Sequence, residues 1–158
     1  NIKMKHLLFI AFLFLGFFSY SQTNSTEKIK WMTWEEAIKE NAKNPKPIFV
    51  DIYTEWCGWC KKMDQGTFSE KEVIEYMNAN YYNVKFDAEQ REVIHYKNKE
   101  FKYVQAGRRG YNTLALALLD NKPQFPSFVV LNDKEQIIAR IAGYQEKSSL
   151  LKTLKSLK

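Results

Sequence analysis

Cysteine is almost absent from this chain: its 158 residues hold two, Cys57 and Cys60. That excludes a disulfide framework as the source of stability. With 45% hydrophobic and 15% aromatic residues, the chain has the means for an ordinary core, and its length suits one domain. Histidine is equally scarce, with His6 near the start and His95 beyond it. A structural zinc site takes four ligands. Two cysteines and His95 fall short, so no metal site is expected, and His95 reads as a surface residue on a charged helix. The chain also lacks an apolar run long enough to span a bilayer, which takes about twenty residues. Its longest, even counted from Leu7 through Tyr20, has fourteen. Nor is there a strong charge of one sign. The net charge is +6; without Lys3 and Lys5 of the leader, 22 basic residues face 18 acidic ones, a net +4. These charges are scattered, which gives nucleic-acid binding no support. No repeat and no low-complexity segment interrupts the chain.

The N-terminus does carry an address. Lys3 and Lys5 precede the apolar run Leu7–Phe18, and Ser19-Tyr20-Ser21 supplies small residues two apart. Basic start, apolar centre and small-x-small site together read as a secretory signal over residues 1–21. Met4-Lys5 reads as the natural start, with 1–3 an upstream extension. Cleavage is expected after Ser21, leaving Gln22 as the mature start and 22–30 as a flexible lead-in. No cysteine lies near that site, so a lipid-anchored form is not expected. The expected location is periplasmic or secreted, which sets the two cysteines in an oxidising compartment.

Beyond the lead-in, residues 31–158 read as one domain. Thr33 and Glu36 form a capping box for a helix from Trp34 to about Lys43. Ile48 to Tyr53 is a buried strand by its β-branched and aromatic content. A short helix carrying the cysteines ends near Gly66. Ser69 and Glu72 read as a second capping box, opening a helix to about Asn80. Tyr82–Phe86 is a strand. Glu89 to about Ala106 has a helical pattern, Gly107–Gly110 a break, and Tyr111–Leu119 a short apolar helix. Ser127–Leu131 and Gln136–Ala142 form a hairpin about Asn132–Glu135. Gly143 precedes a last helix, Lys147–Leu157. Alternating helices and strands imply an α/β fold, a mixed β-sheet covered by helices on both faces.

The chemistry concentrates at Trp56-Cys57-Gly58-Trp59-Cys60. This motif joins the strand at 48–53 to the start of a helix. Free backbone N–H groups and the helix dipole there favour thiolate over thiol, above all at Cys57. Cys60, one turn further on, shares its helix face. Such a pair is placed for thiol–disulfide exchange: Cys57 attacks, and Cys60 resolves the mixed disulfide. A purely structural disulfide is the plainer alternative, but closing so short a loop contributes only about 2 kcal/mol. Gly58 and Trp59 lie between the thiols, where a partner would be bound. Trp56 reads either as scaffold packing or, with Trp59, as a flat apolar docking surface.

At these residues the chain resembles the thioredoxin-like family. Val50–Lys61 looks like that family's active-site segment, including an aspartate six positions before the first cysteine. Phe125-Pro126-Ser127 looks like its cis-proline segment, and the Gly143 turn before the last helix also fits. The likeness is greatest to exported members with a Lys-Pro-Ile-Phe-Val-Asp strand before the motif and Thr-Phe-Ser after it. The resemblance implies a thioredoxin fold and makes Asp51 the proton acceptor for Cys60. It makes Lys85 the lysine that accompanies Asp51, puts a cis bond at Pro126 facing the cysteines, and lets Phe125 help set specificity. Two differences stand out. Gly58-Trp59 replaces Gly-Pro, and the segment before Pro126 is longer than in thioredoxin itself. That extra segment, about 96–124, is expected to be a helical insertion, either covering a sheet edge or docking a partner.

The expected function is an exported protein-disulfide oxidoreductase that reduces or reshuffles disulfides in exported proteins. No metal or organic cofactor is needed beyond the Cys57–Cys60 pair. Its partners would be exported proteins with thiols or disulfides, and a membrane thiol donor of electrons. A dithiol oxidase is the alternative within the class. Outside it stands a non-catalytic binding or chaperone module using Trp56, Trp59 and Phe125.

Overall fold

The computed structural model describes residues 27–157. The expected signal, its cleavage site and the beginning of the lead-in lie outside the described residues. Among the described residues, nine strands and five α-helices follow one another. We number them β1 (Trp31–Met32), α1 (Trp34–Lys43), β2 (Ile48–Tyr53), α2 (Gly58–Gln65), α3 (Lys71–Asn80), β3 (Tyr82–Asp87), β4 (Ile94–Tyr96), β5 (Lys99–Phe101), β6 (Tyr103–Ala106), β7 (Arg109–Asn112), α4 (Thr113–Leu118), β8 (Ser127–Leu131), β9 (Ile137–Ala142) and α5 (Lys147–Ser156). None of these helices is long and apolar enough to cross a membrane.

The main sheet has the order β1-β3-β2-β8-β9. β3 runs parallel to β1 and β2, whereas β8 runs antiparallel to β2 and β9. The sheet is therefore mixed, with β2 at its centre. Side chains alternate between faces along a strand, and two separate cores result. Ile48, Val50 and Ile52 of β2 meet Trp34, Leu114, Leu118, Val129 and Leu131 on one face, under α1 and α4. Phe49 meets Met63, Phe68, Met77, Phe128, Leu150 and Leu154 on the other, under α2, α3 and α5. By the same alternation Asp51 belongs to the second face, where α2 lies.

The first capping box forms as its spacing predicts. The Thr33 N–H donates to Glu36 Oε2 at 2.8 Å, and the Glu36 N–H donates to Thr33 Oγ1 at 3.2 Å. The second does not form. Ser69 closes a short 3-10 turn, Thr67–Ser69, and its hydroxyl donates to the Asp64 carbonyl at 2.7 Å. Glu70, rather than Ser69, caps α3 and makes no side-chain bond there.

The larger correction concerns the insertion. Residues 89–106 are not helical, and His95 lies on a strand. The segment folds as two β-hairpins, β4–β5 and β6–β7, followed by one short helix. The physical cause is a period of two in place of 3.6. Ile94 and Tyr96 both turn to the core, and Tyr96 packs edge-on against Trp34, with ring centroids 5.1 Å apart. Lys97 and Asn98 take φ of 49° and 61°, the left-handed pair that suits a tight two-residue hairpin turn. Gly107, at φ 67°, supplies the second turn.

Asn112 ties this insertion to the sheet. It is fully buried; its N–H donates to the Ala88 carbonyl at 2.7 Å and its side-chain amide to the Glu92 carbonyl at 3.1 Å. Its side-chain oxygen accepts from the Leu114 N–H at 2.9 Å and so caps α4. Replacing Asn112 by Ala leaves buried backbone groups without partners. We expect Asn112→Ala to lower the unfolding free energy by about 2 kcal/mol or more, read as a lower urea midpoint. A loss under about 0.5 kcal/mol, as for a plain surface change, would contradict this anchoring role.

Candidate functional site

β2 ends at Tyr53, and a tight turn carries the chain into α2. The Cys57 N–H donates to the Thr54 carbonyl at 3.0 Å, which seats Cys57 as the N-cap of α2. Its Sγ accepts from the Cys60 N–H at 3.1 Å, so the sulfur already occupies the place where the helix start favours negative charge. No acidic residue stands in the first turn to oppose that. Cys57 and Cys60 form a disulfide across the three-residue step. Both cysteines are buried, whereas the two tryptophans beside them are about half exposed, Trp56 at 47% and Trp59 at 55%. Trp56 is therefore not confined to the scaffold. Gly58 faces open space, where a Cβ would meet nothing within 4 Å.

Beneath the helix lies a charged group of three. Asp51 is buried in mid-strand, its register partner on β3 is Lys85, and its partner on β8 is Phe128. Lys85 Nζ donates to Asp51 Oδ2 at 2.6 Å and also to Asp64 Oδ1. The rings of Trp31, Tyr53 and Phe68 surround the ammonium at 5.0, 5.1 and 5.6 Å. Burial pushes the Asp51 carboxyl up to about 6, and the attraction of Lys85 offsets only part of that rise. Burial acts to lower the Lys85 value, but the two carboxylates outweigh it and hold the ammonium above its ordinary value. The Asp51 Oδ1 oxygen has no hydrogen-bond partner among the described residues. Lys85 is thus placed with Asp51, as the resemblance implies. Asp64 was not foreseen, although its i+4 spacing from Cys60 was a readable signal for a shared helix face.

The Phe125–Pro126 peptide is cis, as the resemblance implies. Pro126 precedes β8, whose Ser127 pairs with Ile52, so the proline meets the sheet where β2 gives way to the motif. Trp56 packs edge-on against Phe125 at 5.9 Å and joins the motif to the proline segment. Two insertion residues that sequence reasoning missed also arrive here. Tyr111 packs on Phe125 at 5.7 Å, and the Arg109 guanidinium lies 4.0 Å over the Trp56 ring. On the other side, Trp59 meets Tyr144 at 5.6 Å, with Lys62 Nζ 4.7 Å over Trp59. His95 is exposed and lies 4.0 Å from Glu100 Oε1. Among the described residues no three His, Cys, Asp or Glu side chains gather as a metal ion would require.

The raised Asp51 value has a consequence for stability. It lies above the 3.8 of a free carboxyl, so the folded state holds the proton more tightly than the unfolded chain. Asp51's contribution is full below about pH 4 and is lost as pH rises through about 6. We expect Asp51→Asn to be more stable than the parent at pH 8, by about 2 kcal/mol. The difference should vanish below about pH 4. Urea unfolding at both pH values checks this, and an Asp51→Asn protein less stable at pH 8 would contradict it.

Comparison with known proteins agrees with this geometry. The family model Thioredox_DsbH, described as a protein of unknown function, DUF255, matches residues 17–148. A thiol:disulfide interchange protein DsbD of Campylobacter jejuni is 36% identical over 69 residues, 44% of this chain and 11% of that protein. The rat spermatogenesis-associated protein 20 is 30% identical over 73 residues, 46% of this chain and 9% of that protein. The chain thus spans only a small part of these curated relatives' own length. Among solved structures, a thioredoxin from Thermus thermophilus superposes with a TM-score of 0.61 at 18% identity, over 82% of this chain and 87% of that one. The fold is that of thioredoxin, and the chain belongs to the thioredoxin-like family that the Thioredox_DsbH model describes.

Proposed function

We propose that the protein is an exported protein-disulfide oxidoreductase, working chiefly as a reductase or isomerase of other exported proteins. The observation that carries this is the seat of Cys57: an N-cap sulfur that accepts the Cys60 N–H, paired with Cys60 and flanked by two exposed tryptophans. In its dithiol form, the Cys57 thiolate attacks one sulfur of a substrate disulfide and expels the other as a thiol. A mixed disulfide forms between protein and substrate. Cys60 then gives up its proton and attacks Cys57 Sγ, releasing the second substrate thiol. The substrate gains two electrons, and the protein returns to the Cys57–Cys60 disulfide.

Asp51 is the group suited to accept the Cys60 proton. It sits in the strand leading to the motif, titrates near 6, and keeps one carboxylate oxygen free of hydrogen bonds among the described residues. Above about pH 6 it is ionised and able to act as a base. Lys85 positions it. Pro126 and Phe125 form the wall against which an extended substrate lies, with Trp56, Gly58 and Trp59 as the remaining contact surface. An electron source must reduce the pair again, and a membrane thiol protein suits an exported location. The export reading itself rests on the N-terminal pattern of residues 1–21.

The order of the thiols gives a direct test. A Cys60→Ser protein should hold substrates as mixed disulfides on Cys57, seen as reductant-sensitive adducts on gels and by mass. Cys57→Ser should hold none and should lose reductase activity by at least about a hundredfold. Adducts on Cys60 in place of Cys57 would reverse the roles. Full function in Cys57→Ser would favour a binding or chaperone module instead.

A further inference from the structure

The β6–β7 hairpin is more than a cover for the sheet edge. Its base is fixed by the buried Asn112, and its body is stiffened by Tyr103 lying across Gly110. A Cβ at Gly110 would come within 2.4 Å of the Tyr103 ring and 2.5 Å of the Val104 carbonyl, so only glycine fits. From this base the hairpin reaches the redox motif: Arg109 stacks on Trp56 at 4.0 Å and Tyr111 on Phe125 at 5.7 Å. Both aromatic partners belong to the surface on which a substrate would lie.

The charge of this arm is one-sided. Arg108 at its tip and Arg109 are exposed, and Arg91 lies 4.4 Å over the Tyr103 ring. Across the motif, Lys61 is exposed and Lys62 covers Trp59. Neither Arg91 nor Arg108, Lys61 or Lys62 has a carboxylate partner among the described residues. The acidic groups of this rim are Glu55, which is exposed and has no cation partner among the described residues, Asp87, whose carboxyl is pushed up by burial and by the charges of Glu89 and Glu55, and Glu89. Arg109 Nη1 donates to Glu89 Oε1 at 3.5 Å, which leaves its other N–H groups for a second carboxylate. A guanidinium on an indole face keeps its edge donors free for a carboxylate. Cations on both sides of a dithiol raise the local concentration of negatively charged partners.

We infer that the β6–β7 hairpin is a recognition arm that selects disulfides in extended polypeptide segments bearing acidic residues beside the cysteine. Arg108 and Arg109 receive the carboxylates while the segment lies along Phe125 and Trp56. The exchange is the one given above: the peptide disulfide takes two electrons from the protein dithiol and leaves as two thiols. The inference rests on the oxidoreductase reading and adds its substrate class.

The test uses the full protein, reduced beforehand with dithiothreitol and freed of it. Its substrates are two cystine-looped peptides of equal length, one flanked by Asp and Glu and one by Lys. Hydroxyethyl disulfide serves as a small uncharged substrate. Single-turnover oxidation is followed by tryptophan fluorescence. The acidic peptide should react about tenfold faster at low salt, with the advantage largely lost at about 0.5 M salt. Arg108→Gln/Arg109→Gln should bring the two peptide rates together. Arg108→Glu/Arg109→Glu should reverse the preference towards the Lys-flanked peptide, a gain that a misfolded variant cannot give. If hydroxyethyl disulfide reacts but the peptides do not differ, or if the preference survives both double variants, the recognition arm is overturned alone. If hydroxyethyl disulfide is not reduced, the oxidoreductase reading falls, and the arm's substrate class with it.

Discussion

A carboxylate held at the centre of the sheet is the constraint around which this molecule is arranged. Asp51 occupies a position where every neighbour on β2 is apolar. A charge there is costly unless it is met by an opposite charge and hydrogen bonds. The fold meets it from β3, whose parallel register sets Lys85 beside it. Lys85 in turn holds Asp64 of α2, so a single ammonium joins the central strand, its neighbour and the helix that carries the cysteines. The three aromatic rings around Lys85 come from β1, β2 and the turn after α2, which closes the group from outside. Moving β2 by one residue against β3 would break this pairing and also turn the core side chains to the wrong faces. The seat of the redox pair and the register of the sheet are thus one problem with one solution.

The second feature of the site is its division into two aromatic walls. Trp59 and Tyr144 stand on one side, and Trp56, Phe125 and Tyr111 on the other. Each wall carries a cation on an indole face, Lys62 on Trp59 and Arg109 on Trp56. The first wall is local to the motif and the turn before α5. The second depends on the hairpin, which the chain reaches only after leaving the sheet at β3. Ala88 marks the departure: its N–H donates to the Tyr53 carbonyl and its carbonyl accepts from Asn112. The strand that leads into the motif and the arm that overhangs it are therefore tied through one residue. A thioredoxin-like scaffold keeps its central sheet in this way while inserted chain overhangs the motif.

The parts legible in the sequence were those specified by neighbours along the chain. The capping box of Thr33 and Glu36, the apolar run of β2, the helix start at Cys57 and the β8–β9 hairpin are local patterns. The cis peptide at Pro126 and the pairing of Asp51 with Lys85 are long-range features, and they were reached only through the family resemblance. The insertion reads as helical in the sequence because Glu89–Ala106 is rich in charge, and charge-rich segments look helical. Its strands are decided by where Ile94 and Tyr96 find a core and by a left-handed turn at Lys97, which no glycine announces. Trp56 was hard to assign for a similar reason. Its environment is completed by Arg109, far along the chain, whose placement follows from a hairpin that was not foreseen. Asp64 was within reach, four residues after Cys60, but a carboxylate on a short helix carries no sign of the lysine that binds it.

The proposed function requires Cys57 and Cys60 to work as a dithiol–disulfide pair that donates electrons to other proteins. The most direct measurement is the equilibrium reduction potential of that pair, obtained by titration against glutathione. A reductase requires a value near that of thioredoxin, about −270 mV, and the account predicts this. A value near that of strong disulfide donors, about −120 mV, would contradict it and would make the protein an oxidase.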